Sequence, residues 1–205
     1  MNVANLYRKL KRILNNSNEA LVNKGLNAVN TLNKIPIEIE KLGEINLLPY
    51  VVRNEIIEIT EEDIRGCQTI GFRAFQKCTN LTNVTIPDGV TTIGDYAFSA
   101  CTNLTNVIIP NSVITIGSSV FDWCTNLTNV TIPDGVTSIG YNAFNYCTSL
   151  TDIYLYPTTP PTLQNTNAIS TATTTIHVPI GCGDAYKNAT NWSNFADKIV
   201  EDIEI

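Results

Sequence analysis

The chain has 205 residues, of which 16% are charged and 8% aromatic, with a net charge of −6. Residues 1–50 hold seven Lys/Arg against four Asp/Glu, and residues 51–205 hold six against fifteen. An acidic body of this kind excludes nucleic acid as the main partner, because phosphate binding needs a basic surface. No apolar run approaches the ~18 residues that a membrane-spanning helix requires, so no membrane insertion is expected.

In chain order, residues 1–50 come first. The basic turn Arg8, Lys9, Lys11 and Arg12 reads either as a solvated helix face or as a contact for anionic groups. Leu6, Leu10, Ile13 and Leu14 form an amphipathic stripe, followed by Leu21, Val22, Leu26 and Val29. Asn15, Asn16 and Asn18 interrupt it, which predicts two helices or one kinked one, ending before Pro36. The segment ILNNSNEALV is too polar for a secretory leader. The anchor residues Leu6, Leu10, Ile13, Leu14, Leu21 and Leu26 either cover the first turn of the next region or serve docking or self-association.

Residues 51–156 repeat themselves. CTNLTNV begins at Cys78, Cys101 and Cys124, and CTSLTDI at Cys147, giving a 23-residue period. Gly71, Gly94, Gly117 and Gly140 keep the register, as do Phe75, Phe98, Phe121 and Phe144. A fixed period in this range predicts a solenoid, in which no unit buries its apolar face alone. LTNVTI has the leucine-rich strand spacing, with Leu81, Val84 and Ile86 inward and Thr85 outward. Proline then ends the strand, and Asp-Gly or Asn-Ser turns the chain. A second short extended piece puts Val90 and Ile93 inward, and DYAFSAC reads as one helical or 3₁₀ turn that tucks Phe98 under the coil. The predicted class is therefore a mainly β leucine-rich solenoid of four or five coils, with short parallel strands and one helical turn per coil. An α-helical N-terminal segment precedes it.

The recurring cysteines predict a column of buried, reduced thiols, with disulfides between adjacent coils as the alternative. One thiol per 23 residues does not make a zinc site. Cys182 falls in a loop and is the thiol to test for reactivity.

Residues 157–205 follow as a strand-helix cap. YPTTPPTLQNTNAIS is an irregular loop, Thr174–Val178 the final strand, and a helix from about Asp184 lays Tyr186, Trp192 and Phe195 over the last coil.

Two sets of positions are free of the packing pattern. On the strand face Asn83, Asn106, Asn129 and Asp152 form rungs beside Thr85, Ile108, Thr131 and Tyr154. The asparagines either bond to one another along the stack or meet a partner. On the opposite rim the rows Ala100, Trp123, Tyr146 and Asp95, Ser118, Tyr141 differ from coil to coil. Trp123, Tyr141 and Tyr146, near Asp122, read either as an exposed recognition cluster or as rings packed under the proline loop or against a neighbouring chain. His177 stands alone in an alternating strand and reads as structural. No catalytic, metal or cofactor residues are expected: the chain has no phosphate-binding glycine loop and no nucleophile–His arrangement.

The stretch IPDGVTTIGDYAFSACTNLTNV resembles the BspA-like leucine-rich repeat, also associated with treponemal surface proteins. The ending TIHVPIGCGDAYKNATNWSNFADKI resembles that family's C-terminal segment, so the resemblance covers roughly residues 55–205. It implies a non-enzymatic binding or adhesion module, since some relatives bind host extracellular proteins or mediate attachment. ITEEDIRGCQTIG lacks Ile-Pro and departs from the repeat as an adapted cap. NEALVNKGLNAVNTLNKIPIEIEKL resembles a short module at the start of appendage and tail-fibre-like proteins of gut bacteriophages. That implies a virion component contacting a cell surface or neighbouring virion proteins. The alternatives are a bacterial cell-surface adhesin and an intracellular interaction scaffold or inhibitor.

Overall fold

The computed structural model describes residues 58–61, 64, 66–169 and 174–205. The anchor helices expected within residues 1–50 lie outside them. Strands alternate between two faces. One carries β1 (Glu58–Ile59), β3 (Asn83–Thr85), β5 (Asn106–Ile108), β7 (Asn129–Ile132), β9 (Asp152–Leu155) and β11 (Thr175–Pro179). The other carries β2 (Thr69–Ile70), β4 (Thr92–Ile93), β6 (Thr115–Ile116), β8 (Ser138–Ile139) and β10 (Thr162–Leu163). Every pairing is parallel, and Asn83 opposite Asn106 and Thr92 opposite Thr115 keep the 23-residue offset. The first face forms two sheets, β1-β3-β5 and β7-β9-β11-β12, closed by β12 (Ile199–Ile203).

The core lies between the faces. Leu81, Val84, Val90, Ile93, Ala97, Phe98 and Cys101 are all fully buried, and the other coils repeat the set. Phe75, Phe98, Phe121 and Phe144 stack in one column with centroids 5.3, 5.6 and 5.3 Å apart and rings within 13° of parallel. Beside it Cys101, Cys124 and Cys147 each donate a thiol hydrogen bond, at 3.2, 3.3 and 3.1 Å, to the carbonyls of Phe75, Phe98 and Phe121. All six described cysteines are free. Burial pushes the Cys101 and Cys124 thiols well up and that of Cys147 up to about 12, so these thiols are poor nucleophiles.

The abundant threonine also has a structural use. Thr105 and Thr151 each direct both backbone N–H and hydroxyl at the carbonyl one coil earlier, of Thr82 and Thr128. Thr91 and Thr137 do the same on the other face toward Gln68 and Ile114.

The turn segment keeps the three-residue bond spacing of the expected 3₁₀ turn but is not a continuous helix. Ala97, Ser99 and Cys101 donate three residues back to Gly94, Tyr96 and Phe98, while Tyr96, Phe98 and Ala100 donate to Ser118, Val120 and Asp122 of the next coil. A regular helical turn aims its N–H groups along its own axis and leaves nothing for the neighbouring coil. Left-handed backbone at Tyr96 (φ 59°) and Ala100 (φ 58°) turns alternate groups outward.

At the C-terminus, α1 (Gly183–Asn188) is followed by a 3₁₀ segment, Trp192–Lys198. Tyr186, Trp192 and Phe195 are buried. The Tyr186 hydroxyl donates to the Pro157 carbonyl and the Trp192 indole N–H to the Pro161 carbonyl, both at 2.7 Å. The proline loop thus presents acceptors to the cap. Thr174–Val178 is not the final strand: β12 follows it and pairs in parallel with β11.

Candidate recognition surface

The turn segments form one rim of the solenoid. Lys77, Ala100, Trp123 and Tyr146 occupy one row across it, with φ of 62°, 58°, 61° and 52°. Lys77, Ala100 and Trp123 donate their N–H groups to Ser99, Asp122 and Asn145 of the following coil at 2.8, 2.7 and 3.0 Å. Repeated backbone geometry sends the row's side chains out in the same direction. The Trp123 and Tyr146 rings therefore stack, with centroids 4.5 Å apart and planes at 27°. Trp123, Tyr141 and Tyr146 are 50%, 54% and 51% exposed, so none packs under the proline loop. Tyr141 lies in the neighbouring row and is not part of the Trp123–Tyr146 stack. In that row the Asp95 carboxylate accepts the Ser118 N–H at 2.7 Å.

Asp122 sits beside Trp123 and accepts a 3.2 Å hydrogen bond from the Asn145 amide. Burial holds its carboxyl above the usual range, with the Asn145 bond opposing. A second aromatic group on the same rim escaped the sequence reading. Exposed Phe72 meets Tyr96 edge-on at 6.0 Å, and the Arg73 guanidinium lies 4.7 and 5.3 Å from their ring centroids. Phe72 shares a row with Tyr141, one period below Asp95, so the alignment that singled out Tyr141 also contained it.

The strand-face candidates lie elsewhere and do not join the rim. The asparagine row does not bond along the stack. Asn83 and Asn129 donate instead to the Thr82 and Thr128 hydroxyls at 3.0 and 3.2 Å. An acceptor one residue away costs less chain entropy to engage than one on another coil. Asn106 is exposed on the same face. Tyr154 stacks on His177 with centroids 4.4 Å apart.

His177 is more than filler. Its Nδ1 lies 2.8 Å from the Asp202 carboxylate and its Nε2 3.1 Å from that of Asp152, so it bridges β9 and β12 across β11. Only the doubly protonated ring donates to both. Burial favours the neutral ring, but the hydrogen bonds and charges of Asp152 and Asp202 outweigh it and raise the His177 pKa. Asp152 is held low, first by the Thr151 hydroxyl and then by His177. The raised histidine pKa gives stability that is complete below its ordinary value of 6.5 and lost as pH rises through the folded value. The lowered aspartate pKa gives stability present above 3.8 and lost as pH falls through the folded value. The bracket is partly solvated, so each pair contributes at most about 1 kcal/mol. The thermal midpoint is expected to decline modestly as pH rises through neutrality, and His177→Gln to flatten that slope. A slope equal in both proteins removes His177 from the latch.

Among the described residues, no group of three or more His, Cys, Asp or Glu has the geometry to hold a metal ion. No helix among them is long and apolar enough to cross a membrane.

No curated protein matches the chain. The leucine-rich repeat protein of T. pallidum is similar, at 27% identity and TM-score 0.54, over 62% of this chain and 59% of that one. A leucine-rich cell surface protein from Faecalibacterium prausnitzii is similar at 36% identity and TM-score 0.40, over 54% of this chain and 36% of that one. The chain thus spans less than two thirds of either structure. Residues 55–194 match the BspA type leucine rich repeat region in six copies. The chain belongs to the BspA-type leucine-rich repeat family.

Proposed function

We propose that the protein is a non-enzymatic binding module that attaches to a cell-surface partner through the turn rim. The observation carrying this reading is the stacked, half-exposed Trp123–Tyr146 pair, at positions the repeat leaves free to vary. Amphipathic aromatics supply large contact area at low entropic cost and dominate recognition energetics. The strand face is less suited: its asparagines are partly engaged by neighbouring threonines, and its exposed apolar residues are scattered.

The test is binding of the full chain to a panel of bacterial and epithelial cells. Trp123→Ala and Tyr146→Ala are each expected to weaken attachment roughly tenfold or more. Ile108→Thr, which restores the repeat's usual residue on the strand face, is expected to change it less than about twofold. Unchanged attachment in both rim variants overturns the reading.

The carrier proposed from residues 1–50 is a virion, with a bacterial envelope as the alternative. Portal, tail or capsid genes beside its own favour the first, and a sortase or secretion locus the second. Residues 1–50 are proposed to dock or self-associate, and a strictly monomeric full-length protein in solution argues against self-association.

A further inference from the structure

The aromatic column of the rim stops one coil short. Tyr146 covers one face of the Trp123 indole at 4.5 Å, close to the ~4.8 Å separation of parallel strands. The opposite indole face therefore looks along the solenoid axis to the preceding coil, where the row holds Ala100. A methyl group covers little of an indole, and Trp123 remains 50% exposed. The next large side chain in the row, exposed Lys77, starts two coils away, about 10 Å by the same spacing. Between them the row carries only the Ala100 methyl, which leaves a bay about one ring thick. Asp122 immediately precedes Trp123, and one of its carboxylate oxygens accepts from Asn145 of the following coil. A carboxylate has further acceptor sites beyond that bond.

We propose that this bay is a subsite for a neutral hexopyranose of a surface glycan, its C–H face on the Trp123 indole and its hydroxyls at Asp122 and Lys77. The proposal rests on the reading of the rim as a recognition surface. A pyranose combines one apolar face with a girdle of hydroxyls that both donate and accept. The bay combines one aromatic face with an acceptor and a donor at its edges. An aromatic side chain from a protein partner would cover the indole equally well but offer nothing to the Lys77 ammonium or to the remaining acceptor sites of Asp122, at a desolvation cost. The excess of fifteen acidic over six basic residues in 51–205 disfavours acidic sugars.

The test titrates the full chain with methyl glycosides of glucose, galactose and mannose and their short neutral oligomers, alongside N-acetyltyrosinamide. Indole fluorescence and the indole N–H resonance are the readouts. Trp192 is buried in the cap and serves as an internal reference. At least one neutral saccharide is expected to shift Trp123 saturably while Trp192 stays fixed. Ala100→Phe extends the column into the bay, at a backbone angle where the row already carries Trp and Tyr, and is expected to weaken that binding at least tenfold. Its thermal midpoint and near-ultraviolet dichroism establish that it folds. Trp123→Leu, which keeps bulk but removes the platform, is expected to do the same. No saturable shift with any neutral saccharide overturns the proposal, as does saturation by N-acetyltyrosinamide alone or an Ala100→Phe variant that binds saccharide as the parent does. Cell attachment lost in Trp123→Ala but intact in Ala100→Phe overturns the sugar subsite and leaves the rim reading standing.

Discussion

Replacing Phe98 with alanine is expected to destabilise the protein by about 3–5 kcal/mol, read as a lower urea midpoint. Phe98 is fully buried, and its ring is sandwiched between Phe75 at 5.3 Å and Phe121 at 5.6 Å. Removing it opens a cavity that neither neighbour can fill, because each ring is fixed by its own coil. The backbone on either side is tied to the next coil through Phe98 N–H to Val120 and Ala100 N–H to Asp122. The site therefore cannot collapse, which places the cost in the upper part of the range for large-to-small changes. In a solenoid each coil contacts only its neighbours, so the same change is also expected to broaden the transition. Trp123→Ala, on the half-exposed rim, should by contrast cost only about 1 kcal/mol, the loss of its stack on Tyr146. A Phe98→Ala loss below about 1 kcal/mol means the phenylalanine column is not packed as described.

Gly140→Ala is expected to cost about 3 kcal/mol for a different reason, the close approach of two backbones. A Cβ at Gly140 would lie 2.5 Å from the Gly117 carbonyl carbon, 2.6 Å from the Ser118 nitrogen and 2.7 Å from the Gly117 oxygen. All three are main-chain atoms and cannot rotate aside. The coils would have to part, stretching the 2.8 Å bond from Gly140 N–H to the Ile116 carbonyl. Gly89 is the control. Its φ of +96° strains any substituent, but nothing lies within 4 Å of an added Cβ. Gly89→Ala should cost only about 1 kcal/mol. A loss at Gly140 no larger than that at Gly89 would mean that the coils part easily and that their close approach does not select the glycine at position 140.

Most of this fold was legible because a solenoid writes its three-dimensional neighbours into the sequence at one offset. The inward set from Leu81 to Cys101 and the Phe and Cys columns needed only the 23-residue alignment. The turn train was not legible, since Ala97, Phe98 and Cys101 face inward equally well from a helical turn or from successive β-turns. What decides between them is the carbonyl of another coil, which local periodicity does not register. The His177 bridge was hidden by a change of period. Both aspartates lie 25 residues from it, one on each side, so an alignment at 23 places neither beside it. β12 was missed because IVEDI has three exposed residues in five and is buried only at its ends. On the rim the free positions followed from the repeat, whereas the Trp123–Tyr146 stack depended on left-handed backbone that no residue type in the row announces. The asparagine row shows the opposite failure. Its register was plain, but the local competition from Thr82 and Thr128 decided its bonding.

Every assignment of a free or buried position depends on identical side chains from successive coils lying in one dry column. Native thiol titration of the full chain tests this most directly, because its six cysteines report five buried positions and one half-buried position at the core's edge. The account predicts a single thiol reacting promptly, Cys182, with Cys67, Cys78, Cys101, Cys124 and Cys147 protected until the chain unfolds. Prompt reaction of two or more of the recurrent thiols, or fewer than six after unfolding without reductant, contradicts it.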